Sequence, residues 1–453
     1  MHNVGAWAQT LGDSLFLAAA AKPNTWPFQW TLLVLAISII GILSFLAYRW
    51  VDLLQLSFTA EQPQPQDLEH MTPEIYESKK QRKIKRTRGQ FFKKSGSWVS
   101  QLLYIVPGMA LAVLGLRKAG LGDGTIYTVL MVGTFIVNML ISKMFSIWNP
   151  ARPFIAYNHH HGHVWTPSNM AWHAWGIVTW AVPTYFFYAW FGVSGWQGSV
   201  IFMVLSQLGQ LIFFIWSIKK KAIPYQQYDG LSADFKKSLH DYLQTQGIRD
   251  DEVGIIQNMG MGPNAFATSI TGYYRQIVVT EEMIKGFPDP SNPKFVLKLS
   301  EDSLEAVIAH EVGHVKNHHV EKSVSLGLFI SAAVTVGVYY IFGKINPSSF
   351  YFPKDMSQQL LLYWGQSLFN VMLVYPLTFI MIGFTRGNEY QADTHLLETN
   401  GCKKGWEFFH QIRHIAPVPN HPYWDRCNAT HPAPEVREKR MLDWEREHCK
   451  PPQ

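Results

Sequence analysis

Cysteine is scarce in this chain: Cys402, Cys427 and Cys449 are the only three in 453 residues. The number is odd and the spacing shows no pairing pattern, so neither a disulfide scaffold nor a cysteine zinc site is expected. Charge is thin as well, 16% Asp, Glu, Lys and Arg against roughly 25% in soluble domains. With 47% hydrophobic residues, that excludes a disordered chain and a simple soluble one. There is no internal repeat and no collagen-like period. The first 28 residues lack the basic segment and apolar core of a secretory signal. Neither sign of charge dominates, since Lys plus Arg total 39, Asp plus Glu 33, and the net is +6.

Long apolar runs fill the space that charge leaves. Seven of them, 32–48, 99–116, 125–141, 174–191, 200–218, 324–342 and 360–384, approach the ~20 residues that a helix needs to cross a ~30 Å hydrocarbon core. Trp30, Trp50, Trp98, Trp148, Trp172 and Trp196 stand at or near their ends, as interfacial aromatics do. Pro107 and Pro376 fall inside runs and mark kinks. Between the first and second runs lie Lys79, Lys80, Arg82, Lys83, Lys85, Arg86, Arg88, Lys93 and Lys94, and the fifth run ends in Lys219, Lys220 and Lys221. With about seven spans, both clusters and the basic C-terminal tail fall on the cytoplasmic side, with the N-terminus opposite. The connection 50–98, Gln/Pro-rich and then basic, reads as a linker in contact with anionic lipid, not as a nucleic-acid site.

The sharpest chemical feature is His310-Glu311-Val312-Gly313-His314. Asp302 with Glu305 reads as a capping box that starts a helix with Leu304, Val307 and Ile308 on one apolar side. On that helix His310 and His314 are i and i+4, one above the other, so two neutral imidazoles can hold one zinc with Glu311 beside it as base. The pattern arises by chance roughly once in a few dozen chains of this composition, the alternative being two surface histidines at a helical repeat. A catalytic zinc wants a third protein ligand and an open position. Glu389, in Asn388-Glu389-Tyr390-Gln391-Ala392-Asp393, directly follows the last apolar run on the same expected side. The two spans between form a hairpin that brings it back, and Asp393, at i+4, is placed to orient a ligand histidine.

These motifs resemble the membrane gluzincin zinc metalloproteases, which include the integral-membrane CAAX prenyl proteases and the HtpX-like heat-shock proteases. Their pattern is HExxH, two membrane helices, then a glutamate ligand in ExxxD. Pro263-Asn264-Ala265-Phe266-Ala267 followed by Arg275-Gln276-Ile277-Val278-Val279-Thr280 resembles the family's NAF…IVV segment, and Thr430-His431-Pro432-Ala433-Pro434 with Arg437 resembles its C-terminal HPxxxxR motif. The match covers about 219–445. His319 stands where the CAAX branch often carries a histidine, and the span number and basic connection lean the same way. The resemblance implies Zn2+, one per chain, on His310, His314 and Glu389, with Glu311 as general base. It implies His431, and less directly Arg437, as donors to the oxyanion, and Asp393 and His319 behind the ligands. It also implies that Asn264, Ala265, Phe266 and Ala267 form an edge pairing with an extended substrate, the alternative being an ordinary hairpin.

The fold class expected is therefore mainly α: a polytopic helical membrane protein with a cytoplasmic-side α+β zincin-type catalytic domain. Its parts are 1–218 (about five spans), 219–323, the hairpin 324–384 and 385–453. The expected function is zinc endopeptidase action on membrane-associated or prenylated polypeptides, in a bacterial inner membrane or the endoplasmic reticulum. Quality-control cleavage is the alternative within the class. A polytopic zinc transporter or sensor, using His159, His160, His161 and His163 as a further site, is the rival outside it. Transport calls for ionisable groups at mid-membrane, and the apolar runs carry almost none. A histidine loop of this kind is more often solvated than functional, and His318 reads as outer support or solvent-facing.

Overall fold

The structure is a computed structural model that describes residues 28–68, 71–100, 106–121, 196–257, 263–270, 274–289, 292–345, 356–400 and 405–449, with isolated residues from 125 to 133. The runs 125–141 and 174–191 and the histidines 159–163 lie outside the described residues, apart from those isolated positions. In chain order the N-terminal helices are α1 (Phe28–Glu61), α2 (Pro73–Ser100), α3 (Val106–Lys118) and α4 (Trp196–Lys221). An α+β segment follows: β1 (Ile223–Pro224), α5 (Ala233–Thr245), β2 (Val253–Ile256), β3 (Ala265–Ile270), β4 (Tyr274–Thr280), α6 (Glu281–Lys285), β5 (Phe287–Asp289), β6 (Asn292–Leu297) and α7 (Glu301–Lys316). The chain continues through α8 (His319–Ile345), α9 (Met356–Asn400), α10 (Gly405–Ile415), α11 (Pro422–Asn428) and α12 (Pro434–His448).

The first helix carries the membrane signal. Its Ala36–Glu61 stretch is long and apolar enough to cross a bilayer. Its polarity is inside out: Ile39, Ile40, Leu43 and Leu46 are exposed, while Arg49, Asp52, Gln55 and Thr59 recur every three or four residues on the buried face. A helix that hides its polar stripe and shows its apolar one presents a surface that suits lipid contact. Leu205 and Ile212 on α4, Phe329 on α8 and Phe379 and Ile380 on α9 are likewise exposed.

The region 50–98 is not a linker. The first helix runs on to Glu61, and α2 is a 28-residue helix. Lys, Arg, Gln and Glu are good helix formers. Lys79 and Ile84 are buried while Gln81, Lys85 and Arg88 face outward, so one side of α2 packs against the protein. Cys449 is disulfide-bonded, a bridge that the odd number and spacing of the cysteines did not indicate; Cys427 is a free thiol.

Four strands form one sheet in the order β1-β2-β4-β3, with β2 and β4 parallel and the outer pairs antiparallel. Val253, Ile255, Ile277 and Val279 turn into a core shared with Leu304, Val307, Ile308 and Val312 of α7. β3 is the edge, paired to β4 from Ala265↔Val279 to Ile270↔Tyr274. Helix α7 lies against this edge, and small residues permit it: Ala265 and Ala267 face the core while Phe266 points to the other side, beside Ile218 and Val278.

Candidate metal centre and active site

Helix α7 starts two residues earlier than the capping box anticipates. Ser300 is the N-cap, its hydroxyl accepting from the Ser303 N–H at 3.2 Å and donating to Glu407 of α10 at 2.7 Å. A hydroxyl held at both ends satisfies an orphan N–H more fully than the expected Asp302. Glu305 instead accepts from the Ser238 hydroxyl at 2.9 Å. The helix is buried through most of its length and stops at Asn317. His318 then takes a left-handed conformation, φ 53°, unusual for a residue with a Cβ. The chain turns there, so that His319, the first residue of α8, folds back on α7.

Helix α9 supplies the third candidate ligand. Its 45 residues span about 67 Å, twice the hydrocarbon thickness, so the helix holding the run 360–384 continues rigidly into Glu389 and Asp393. His310 Nε2 and His314 Nε2 lie 3.1 Å apart, with Glu389 Oε2 3.5 Å from the first and Oε1 3.4 Å from the second. A tetrahedral zinc with ligands at 2.0–2.1 Å has edges of about 3.3 Å, so these three donors fit the ion. Among the described residues this is the only His/Cys/Asp/Glu trio gathered closely enough to hold a metal.

The surroundings also fit. Glu389 Oε2 is buried, 2.9 Å from His431 Nδ1 and 3.0 Å from Arg437 Nη1, yet takes no well-directed hydrogen bond from either. Charge is near it without direction, which is what a metal ligand needs. With both imidazoles turned by Nε2 to a common point, each Nδ1 carries the proton. His310 Nδ1–H then donates to Asp393 Oδ1 at 3.0 Å, and His314 Nδ1–H to His319 Nδ1 at 2.9 Å. His319 keeps its own proton on Nε2 and donates it to Gln391 Oε1 at 3.0 Å.

Titration follows from these contacts. Burial and the Arg437 charge pull the His310 pKa down, but the Asp393 and Glu389 carboxylates outweigh them and push it up to about 9. Burial works to raise Glu389, and the nearby imidazoles of His310, His314 and His431 hold it well below the carboxylate range. Asp393 is lowered too, as His310 and Arg437 overcome its burial. Burial pushes His319 down to about 4, so it stays a neutral acceptor for His314.

Arg437 stands one turn into α12, which Pro434 starts at a position where the missing N–H costs nothing. Its guanidinium grips Asp393 through Nε at 2.9 Å and Nη2 at 2.5 Å, Glu389 through Nη1, and stacks on Phe409 at 4.3 Å. Those contacts occupy it, so it supports the ligands and does not face a reacting carbonyl. His431 is different, 66% exposed and on the wall of a cavity of about 260 Å³. His310, Glu311, Glu389, Asn264 and Ala265 line the same cavity. The Thr280 N–H donates to Asn264 O at 2.9 Å, so Asn264 faces β4. By antiparallel alternation the backbone groups of Ala265 and Ala267 point to the open edge. His318 is exposed, 3.9 Å from Glu321.

Sequence reasoning missed Gln391 and the apolar wall that α10 builds with Phe408 and Phe409. Gln391 stands two residues after Glu389, about 200° around the helix, so no ligand-spacing rule reaches it. The helical spacing of Phe408, Phe409 and Ile412 was the available signal for the wall.

Residues 233–445 match Peptidase family M48. A protease HtpX homolog of Picrophilus torridus is 29% identical over 229 residues, 48% of this chain and 64% of the relative. CAAX prenyl protease 1 of Saccharomyces cerevisiae is 24% identical over 259 residues, 52% of this chain and 53% of the relative. The chain thus spans between half and two thirds of these relatives. The crystal structure of S. mikatae Ste24p superposes with a TM-score of 0.65, at 17% identity, over 92% of this chain and 100% of that one. The mainly helical fold is therefore Ste24p-like. The stretch similar to that family, 233–445, carries every residue of the centre.

Proposed function

We propose that the chain is a zinc-dependent integral-membrane endopeptidase that cuts membrane-associated or lipid-modified polypeptides at an extended segment. One observation carries the reading: the ligands His310 and Glu389, the base Glu311 and the start of edge strand β3 border a single cavity. Zinc on His310, His314 and Glu389, one ion per chain, would lower the pKa of its water toward ~7 and polarise the scissile carbonyl. Glu311 takes the proton and delivers it to the leaving amine. His431, exposed at the cavity, donates to the developing oxyanion. Arg437, Asp393 and His319 hold the ligands in place. The substrate backbone pairs with the open edge of Ala265 and Ala267, flanked by Asn264 and Phe266.

The membrane part comprises about seven spans in 1–218 and the hairpin 324–384, with 219–323 and 385–453 forming the catalytic domain on the cytoplasmic face. The outward apolar faces of α1, α4, α8 and α9 support it. Processing of prenylated chains is favoured by the extent of the Ste24p-like fold, and HtpX-like quality control by the archaeal relative. A zinc transporter is disfavoured, because the ligands sit on α7 and on the part of α9 beyond its apolar run.

The test is zinc content and cleavage of prenylated and unmodified peptides by the detergent-purified protein and by Glu311→Gln and Glu389→Ala. One zinc per chain, cleavage abolished by Glu311→Gln with zinc retained, and zinc lost on Glu389→Ala would establish the peptidase. Zinc bound without any cleavage, or Glu311→Gln as active as the parent, would sink it. Cleavage indifferent to the prenyl group would select quality control.

A further inference from the structure

The segment 413–428 makes few of its polar contacts with the catalytic core it leads into. Arg413 reaches back to Asp67 at 2.5 Å. Lys79 donates to Ile415 O at 3.1 Å, the last carbonyl of α10, and also pairs with Asp289. Lys83 donates to Val418 O at 2.6 Å and Pro419 O at 2.8 Å, while the Val418 side chain enters a small core with Leu68, Met71 and Tyr76. On α1, Gln55 Oε1 accepts from the His421 N–H at 2.7 Å, Asp52 from Trp424 Nε1 at 3.1 Å, and Tyr48 donates to Cys427 O at 2.8 Å. The α1–α2 hairpin thus holds this segment at five or more points, and three residues after Asn428 the chain delivers His431 to Glu389.

From this geometry we infer that the α1–α2 hairpin is a positioning device for His431, with Lys83 at its centre: the membrane part of the molecule sets where the oxyanion donor stands. The inference rests on the reading of His431 given above. Lys83 is the pivot because its ammonium satisfies two successive carbonyls where the chain leaves α10. Among the described residues neither carbonyl has another donor, and Pro419 has no N–H to brace the turn otherwise. The metal ligands sit on α7 and α9, outside the clamped segment, so the clamp acts on His431 and leaves metal binding alone. Asp52 acts from the other helix. Its buried carboxylate, paired with Arg49 at 2.6 Å, fixes the Trp424 indole.

The experiment is a double-mutant cycle in the zinc-loaded, full-length protein, using Lys83→Met, Lys83→Arg, His431→Ala and Lys83→Met/His431→Ala. Lys83→Met is expected to lower kcat by about 10- to 100-fold, the upper end being the scale of a ~1 Å misplacement, with KM and zinc content unchanged. Lys83→Arg, which keeps a donor, should recover most of that loss. In the His431→Ala background, Lys83→Met should have no further effect, because the group it positions is gone. Full additivity in the cycle, or a parental kcat for Lys83→Met, overturns the inference. Unchanged cleavage by His431→Ala alone overturns the reading on which it rests. Should Lys83→Met fail to fold, Asp52→Asn replaces it in the same cycle with the same expected outcomes. The cobalt-substituted protein adds a readout independent of turnover. His431 Nδ1 lies 2.9 Å from a Glu389 oxygen, so its displacement by Lys83→Met should alter the visible spectrum as His431→Ala does.

Discussion

Buried around the ligands, Glu311, Glu389 and Asp393 face a single buried guanidinium, that of Arg437. The surplus of negative charge is what a dication neutralises, and without one His310 takes up the task by holding a proton. Its pKa of about 9 lies above the ordinary 6.5. A histidine raised on folding stabilises the metal-free protein fully below pH 6.5 and ceases to do so as pH climbs through 9. Zinc must displace that proton, so its affinity should rise across the same window, and binding near pH 7.5 should release about one proton. Calorimetry in buffers of different ionisation enthalpy measures this, and no release would refute the assignment. Replacing Arg437 by Met leaves two buried carboxylates without their cation. It should destabilise the metal-free protein by about 3–5 kcal/mol, with saturating zinc recovering part, as read from denaturation with and without metal. At this scale spacing identified His310, His314, Glu389 and Asp393. It did not show that Arg437 would be occupied by the ligand shell, since that depends on where α12 lands.

Between elements, the centre depends on how closely α7 approaches α9. Gly313, the second variable position of the HExxH motif, is the point of closest approach. A Cβ there would meet Ala392 Cα at 3.0 Å, Ala392 O at 3.1 Å and His395 Cβ at 3.1 Å. Two of those atoms are backbone and cannot swing aside. Gly313→Ala should therefore force the helices apart at a cost of about 1–3 kcal/mol. It should also weaken zinc binding, because Glu389 rides on the helix that moves; thermal melts and chelator competition report the two effects. Parental zinc affinity in Gly313→Ala would show that the approach is not critical. The sequence indicated α7, β4 and the continuation of α9 correctly, as periodicity is a local property. It misjudged the start of α7, where Glu407, far away in the chain, makes Ser300 the better cap. It also misjudged α2, whose basic composition resembles a solvated linker until the surface receiving Lys79 and Lys83 is present.

For the whole molecule, the arrangement across the bilayer is the largest proposal. If about seven spans place 50–98 and 385–453 together on the cytoplasmic side, Lys85→Cys and Asp443→Cys, in a background without native cysteines, should label from one side of sealed vesicles and Lys118→Cys from the other. Labelling of all three from one face would rule that topology out. The outcome bears on the clamp as well, since α1 and α2 can hold 413–428 only from the same side.

By itself the sequence pointed to the apolar first helix and to the trio His310, His314 and Glu389 that the fold gathers, because hydropathy, i,i+4 spacing and the order of motifs act through neighbouring residues. Only the tertiary structure decided what stands behind those ligands: His319 passing its proton's hydrogen bond to Gln391, Arg437 bound to two carboxylates, and α1 and α2 gripping the approach to His431. Gln55 and His421 meet across 366 positions of chain. No periodicity encodes such a contact, which exists only once both surfaces have formed and bring their polar groups together.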